Sequence, residues 1–585
     1  MTGSYLPACG KRKSPPFGGN RYLLAKPRSA GAVSFQPINE PLRAPERFAD
    51  TGSFDTILPP FLLSGKPLFF NLQTGGYTPL SPYDNLTGKG THVRIDLKVP
   101  FKLFACGLLF GTGLLGAQTT PNFGANVTIL NPGMTPAQVN AALNAVNQEG
   151  QFSTNRHAVL LLPGSYGTAG NAVYADVGYY ESVAGLGQTP GQVTVTGGLV
   201  ADQLISGNLT QNFWRSQENL TEVPVGGETN GTLDWGVSQG ASLRRMNIQG
   251  NLALVDSSAG GSTCAEASGG FTADTAVSGV TNACSQQQWY TRNSTMPVNG
   301  WQSNVWNFVF SGVTNAPAQH YPGANPGNGI TTLAQTPVSR EKPFLYVDAS
   351  GNYFVFSPAL KTNSSGTSWS GGGLGAGTSL PISSFFIAQP GNTLAQINQA
   401  LASGQNLILT PGIYQYSGAI SVTKPNTVVL GMGYATLVPQ SGTPALSVAD
   451  VDGVQIAGLL FDAGPANSPM LLEIGNPNGT NVAHASAPTS LNDVFFRIGG
   501  STLGTATNSL QVDSGNVILD NIWAWRRSRQ LRHRRLEHQY GGSRRCGQRR
   551  QRDRAGPCGR ALPAVPGAME RQRGRNNLLP KRASL

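Results

Sequence analysis

Short β-prone runs, each closed by Gly, Asn or Asp, recur through most of this 585-residue chain. Examples are VTVTGGL, RRMNIQGNLAL, ALSVADVDGVQIAGLLFDAG and NSLQVDSGNVILDNIWAW. Strands this short, in series with tight turns, suit a parallel β-helix. Each coil adds one strand to each of several sheets, and inward Val, Ile and Leu stack into ladders. A β-sandwich would show longer alternating strands joined by hairpin turns such as Asn-Gly, and these are sparse. The high glycine and proline counts (74 and 40) and the low share of charged residues (12%) also favour an all-β chain with many turns.

An internal echo points to two such stacks. HAVLLLPGSYGTAGNAVYADVGYYESVAGLGQTPGQVTVTG and QNLILTPGIYQYSGAISVTKPNTVVLGMGYATLVPQSG share a short apolar strand, Pro-Gly-x-Tyr, further short strands and Gly-x-Gly. Pro163 and Pro411 are 248 residues apart, and Gly185 and Gly431 are 246 apart. Each copy follows a helix-like stretch, TPAQVNAALNAVNQ or TLAQINQALASG, with apolar residues at three- and four-residue spacing. Such a helix would cap the open end of its coil stack. The expected division is a first β-helix over 119–365, a Gly/Ser-rich linker over 366–382 and a second β-helix over 383–525.

The net charge of +12 is unevenly spread. From Arg526 onward there are 18 Lys/Arg against 3 Asp/Glu, and residues 1–92 carry 10 against 5, so the remaining body is mildly acidic. That body offers no surface for a phosphate backbone, and no nucleic-acid partner is expected. Apart from Cys106 in an apolar run near its start, Cys264 and Cys284 are the only cysteines in it, a disulfide candidate if the compartment is oxidising and two free thiols if not. KVPFKLFACGLLFGTGLLGAQTT has basic Lys98 and Lys102, an apolar run from Leu103 to Ala117 and then polar residues, which is the pattern of an export signal. The run is too short for a comfortable span, so no stable membrane partner is expected. Its position, 93–118, suggests translation from Val93, with residues 1–92 a spurious upstream leader; the rival is a true leader with an internal anchor. An extracellular location follows for the product so processed.

TQNFWRSQENL, CSQQQWYTRNS, TPVSREKPFLYVD, KTNSSGTSW, VDGVQIAGLLFDAGP and DNIWAWR resemble bacterial members of glycoside hydrolase family 55, from about Asn126 to Trp525. The resemblance implies two side-by-side right-handed parallel β-helices of the pectate-lyase type, acting as a monomer without metal or cofactor. It also implies exo-acting, inverting hydrolysis of β-1,3-glucan. Inversion needs a carboxylic acid to protonate the leaving oxygen and a water held on the opposite sugar face. By resemblance Trp525 contacts substrate, while Gln286, Gln288 and, more weakly, Ser311 position water. The alternatives are an Asn/Gln ladder for the glutamines and a core role for the tryptophans, the latter suiting Trp523 better. The family's acid lies in a QNELP-like motif and a second glutamate in a VEHY-like motif, and neither string occurs here.

Both motifs emerge from the arginine-rich tail when it is back-translated and read one base later. MERQRGRNNLLP becomes WNGNAAETIFY, and the whole tail yields a text starting GNYGIGVWNINT that contains VEHY and QNELP in order. The tail 526–585 is thus expected to be an out-of-frame translation, ill-folded, leaving the second β-helix truncated. The acid's codon would span Arg582 and Ala583, so this chain is expected to lack it. The competing readings are an inactive remnant that only binds glucan, a polysaccharide lyase on the same scaffold, and a basic nucleic-acid arm. A lyase would need a calcium-binding acidic cluster beside a basic catalytic residue, and no convincing set is visible.

Overall fold

The computed structural model describes residues 120–203, 207–226, 231–257, 264–303, 306–321, 329–479, 482–500 and 503–527, with the backbone of 583–584. The leader 1–92, the export-signal segment 93–118 and nearly all of the tail, Arg582 included, lie outside the described residues. Two parallel β-helices make up the rest. The largest sheet of the first has nine strands, running from Val127–Leu130 through His157–Leu161, Glu181–Gly185 and Arg215–Glu218 to Gly329–Leu333. The corresponding sheet of the second runs from Phe385–Ala388 through Asn406–Leu409, Val428–Gly431, Gln455–Asp462 and Ser490–Ile498 to Ile518–Arg526. Inside each stack a ladder of buried Val, Leu, Ile and Phe forms the core.

The echo has a physical basis in each copy. The Pro-Gly-x-Tyr tyrosine turns inward and bonds two carbonyls of its first coils. Tyr166 donates to Leu130 O (2.9 Å) and Leu162 O (2.8 Å), and Tyr414 to Ala388 O (2.8 Å) and Thr410 O (2.9 Å). The glycine is required because a proline lies against it. A Cβ would come within 2.4 Å of Pro132 at Gly164 and 2.3 Å of Pro390 at Gly412. Removing the Tyr414 hydroxyl would leave buried carbonyls short of a donor. Tyr414→Phe is therefore expected to cost about 1–3 kcal/mol, read as a shift of the urea midpoint at unchanged slope. Both helix-like stretches are helices, Pro136–Asn144 and Leu394–Ala402, each opened by a reciprocal Thr–Gln capping box. They bury Val139 and Leu143, and Ile397, Ala400 and Leu401, against the first coils.

The connection involves more than the Gly/Ser-rich linker expected over 366–382. The first β-helix ends at Leu333, and an antiparallel strap follows: Thr336–Arg340 pairs with Leu360–Ser364, and Phe344–Val347, Tyr353–Pro358 and Gly377–Pro381 form a three-stranded sheet. The Gly/Ser-rich turn is pinned rather than free. Ser368 Oγ donates to Asp274 Oδ2 (2.8 Å) and Trp369 Nε1 to Asp274 O (2.7 Å). Glycine richness here serves tight turns, not slack. Cys264 and Cys284 are joined in a disulfide across 20 residues.

Candidate active site

The two large sheets face each other, and their contact changes character along the stack. At the start it is apolar, with Leu160, Ala184, Leu186, Ile408, Leu430 and Ala457 packed together. Further on it becomes ionic. A stacked corner explains why. Asn219, Arg245, Asp274, Asn293 and Gly312 occupy left-handed backbone positions (φ between 47° and 62°) just after register-matched strand ends. Turning there leaves Glu218, Arg244 and Arg292 projecting toward the second β-helix. The latter answers with its own bend at Gly458, Asp493 and Asn521 (φ 68°, 53° and 64°), positions that Gly, Asn and Asp tolerate best.

The result is a buried network. Arg244 binds Asp493 through Nε and Nη2 (2.8 Å each) and Asp520 through Nη1 (2.9 Å). Arg292 binds both oxygens of Glu341 (2.6 and 2.7 Å) and both of Asp520 (3.1 and 3.0 Å). Lys342 Nζ reaches Glu218 Oε2 at 2.6 Å. Burial alone would raise the Asp520 carboxyl, but the Arg292 and Arg244 guanidiniums outweigh it and hold it at about 2. Burial opposes ionisation of Asp493 too, and Arg244 and Lys342 pull it below the usual carboxylate range.

Past this network the sheets part around a cleft of about 470 Å³. Its polar lining comes from Gln239, Gln288, Tyr290, Asn307 and Asn521, and its apolar wall includes Trp523. Trp523 is propped by Phe213 (5.1 Å) and Trp214 (4.9 Å), and Asn521 Nδ2 by Asp493 Oδ1 (2.7 Å). Amides that both donate and accept, beside an aromatic face, suit a sugar. No carboxylate lines this cleft among the described residues. Asp493, which accepts from Asn521 of the lining, is held in its ionised form by Arg244 and Lys342 and is no proton donor at neutral pH.

The residues expected at the site separate. Gln288 lines the cleft and is exposed. Gln286 does not face it: it is fully buried, its Oε1 accepts from Gly269 N (2.6 Å), and its Nε2 donates to Val237 O (3.1 Å) and Leu254 O (3.2 Å). A turn at Cys284–Ser285 precedes it and the strand begins only at Gln288, so the alternation assumed from Gln286 fails. Ser311 is also buried, its hydroxyl tied to Thr336 Oγ1 at 2.8 Å beneath the strap. Trp525 stands outside the cleft lining, its ring stacked near Phe152 at 6.4 Å, while Trp523, expected in the core, lines the cleft. The ionic network was not expected. Its only trace in sequence is charge inside apolar runs, as in SLRRMNI, REKPFLYV and LNDVFF.

A family model described as the LAM55 pectate lyase-like domain matches residues 385–533. The solved structure of sacteLam55A from Streptomyces sp. SirexAA-E is 45% identical, covers 70% of this chain and 71% of its own, and aligns with a TM-score of 0.64. This chain belongs to glycoside hydrolase family 55. A Glu-to-Ala variant of sacteLam55A in complex with glucose aligns equally well, at 45% identity and TM-score 0.64 over the same shares of both chains. A curated relative in this family, the exo-beta-1,3-glucanase of Streptomyces sp. (strain SirexAA-E / ActE), is 47% identical over 407 residues. That alignment takes in 69% of this chain and 64% of the relative, so the chain spans less than two thirds of the relative's length.

Proposed function

We propose that this chain derives from a secreted, inverting exo-β-1,3-glucan hydrolase, and that in its present reading frame it binds glucan without hydrolysing it. The observation that carries the reading is the cleft, which presents amides and an aromatic face to a sugar but, among the described residues, has no carboxylic acid lining it. The naming of the relatives and the glucose bound to one of them support the substrate class. The missing part falls after the last described long strand of the second β-helix. Its last large-sheet strand, Ile518–Arg526, lies opposite Arg292 through Asp520, while the first β-helix continues with Asn307–Ser311 and Gly329–Leu333. On those two strands Val309 and Leu333 are 37% and 47% exposed, as if awaiting further coils. Those coils, with both glutamates, are encoded one base out of frame after Trp525.

Sequencing the DNA that encodes residues 520–585 tests the frame. A clean read that still specifies the arginine-rich tail and carries no shift would remove the sequencing-error explanation and leave a genuine lesion. Proton NMR of the first products from laminarin tests the chemistry once the frame is restored. Initial release of α-glucose is the expected sign of inversion; β-glucose, or unsaturated uronides from a uronic-acid polymer, would sink the assignment.

A further inference from the structure

We propose that Asp202, Asp234 and Asp256 form a calcium site on the first β-helix, separate from the cleft. The three come from successive coils. Asp202 follows Val193–Val200, Asp234 ends Thr232–Asp234, and Asp256 follows Asn251–Ala253. The coils are in register through Ala201 with Trp235 and Asp234 with Ala253. One carboxylate oxygen from each lies within 4.8 Å of the other two. None of the three lines the cleft.

A second observation concerns what surrounds them. Asp234 is only 5% exposed; its Oδ2 accepts from Ser257 N (2.9 Å) and Oγ (2.8 Å), whereas its Oδ1 is buried with no hydrogen-bond donor. A buried carboxylate oxygen left without a donor is costly unless something cationic meets it. No guanidinium or ammonium does so within 4 Å among the described residues. Carboxylates concentrated in this way are the donor set of a hard divalent cation. Calcium takes six to eight oxygens at about 2.3–2.6 Å in flexible geometry, while magnesium insists on a near-ideal octahedron. With no Cys or His in the cluster, zinc is disfavoured. This departs from the metal-free expectation above. The spacings of 32 and 22 residues match no loop motif, because the coil stack rather than local sequence assembles the site.

The test is calcium chloride titrated into the purified full-length chain after treatment with chelator, followed by calorimetry and thermal unfolding. Binding near 10⁻⁴ M and a rise in Tm of roughly 2–4 °C at saturation are expected. Asp202→Asn should weaken binding at least tenfold while melting no lower than the parent in chelator, because like-charge repulsion is relieved. Asp234→Asn serves as a second variant with the same calcium readout. A parent indifferent to calcium, meaning a cluster that holds only protons, would overturn the proposal. So would an undiminished response in Asp202→Asn, or an equal response to magnesium at the same concentration.

Discussion

Laminarin hydrolysis by the 585-residue chain is expected to fall at least about 10²–10⁴-fold below that of the same protein translated one base later after Trp525. The lower bound is the usual worth of one general acid. The full effect should exceed it, because the proposed frame change would remove the acid, the second glutamate and the coils that would close the cleft. Neither buried aspartate beside the cleft can substitute. Asp520 is held at about 2, so it carries no proton at neutral pH, and Asp493 is pinned by Arg244 Nε and Nη2. Glucan binding should survive better than turnover, since Gln288, Asn307 and Trp523 precede the proposed frame change. Glucose release from laminarin by the two proteins, purified side by side, checks this. Equal rates would show that the carboxyl needed for catalysis already exists in the chain as it stands.

The restored coils also bear on folding. Leu519, on the last described long strand of the second β-helix, is 43% exposed. In the neighbouring sheet, Ala583–Ser584 pairs antiparallel with Gln511–Val512 where every other pairing is parallel. A short antiparallel patch satisfies few of the backbone groups that a further coil would take up. An open, partly apolar stack end is a ready template for association with other chains. The frame-restored protein is expected to be the more soluble of the two.

The architecture was legible because a β-helix writes its period into sequence. Gly164 with Tyr166, and Gly412 with Tyr414, hold equivalent places 248 residues apart, and each pair answers a local demand: a proline overhead and two carbonyls to bond. Gly185 and Gly431 are matched in the same way, since a Cβ at either would meet a backbone oxygen of the next coil at 2.2 and 2.4 Å. The helices were legible from the three- and four-residue spacing of their apolar side chains. The site was legible only in part. A resemblance identifies which residues matter, but which way each points depends on where its strand begins. Gln286 sits one turn too early and drops into the core. Trp523 and Trp525 share one face of one strand, so sequence alternation could not tell which of them meets the cleft.

Arg292→Met is expected to destabilise the fold by about 3–5 kcal/mol, and the network shows why. Its partners lie 49 and 228 residues away, Glu341 on the strap and Asp520 on the second β-helix, so no sequence window contains the interaction. Arg292 holds both oxygens of Glu341; without it, that buried carboxylate keeps only a long bond from Asn293 Nδ2 (3.4 Å). Asp520 would retain Arg244 and Asn492. The cost therefore arises mainly from a stranded Glu341. Adding Glu341→Gln should recover much of it, since removing both members of a buried pair is far cheaper than removing one. Urea midpoints of the parent, both single variants and the double variant measure this as a cycle, and a loss under about 1 kcal/mol in Arg292→Met would contradict it. The pH dependence gives an independent reading. The Asp520 carboxyl sits at about 2 in the fold against about 3.9 in an unfolded chain. Its depressed value thus contributes stability, on the order of 2 kcal/mol, that is fully present above about pH 4 and lost as pH falls through 2. Arg292→Met should remove part of that contribution, so its stability should fall less steeply than the parent's between pH 4 and pH 2. An equally steep fall in both proteins would mean that Arg244 alone sets the Asp520 charge.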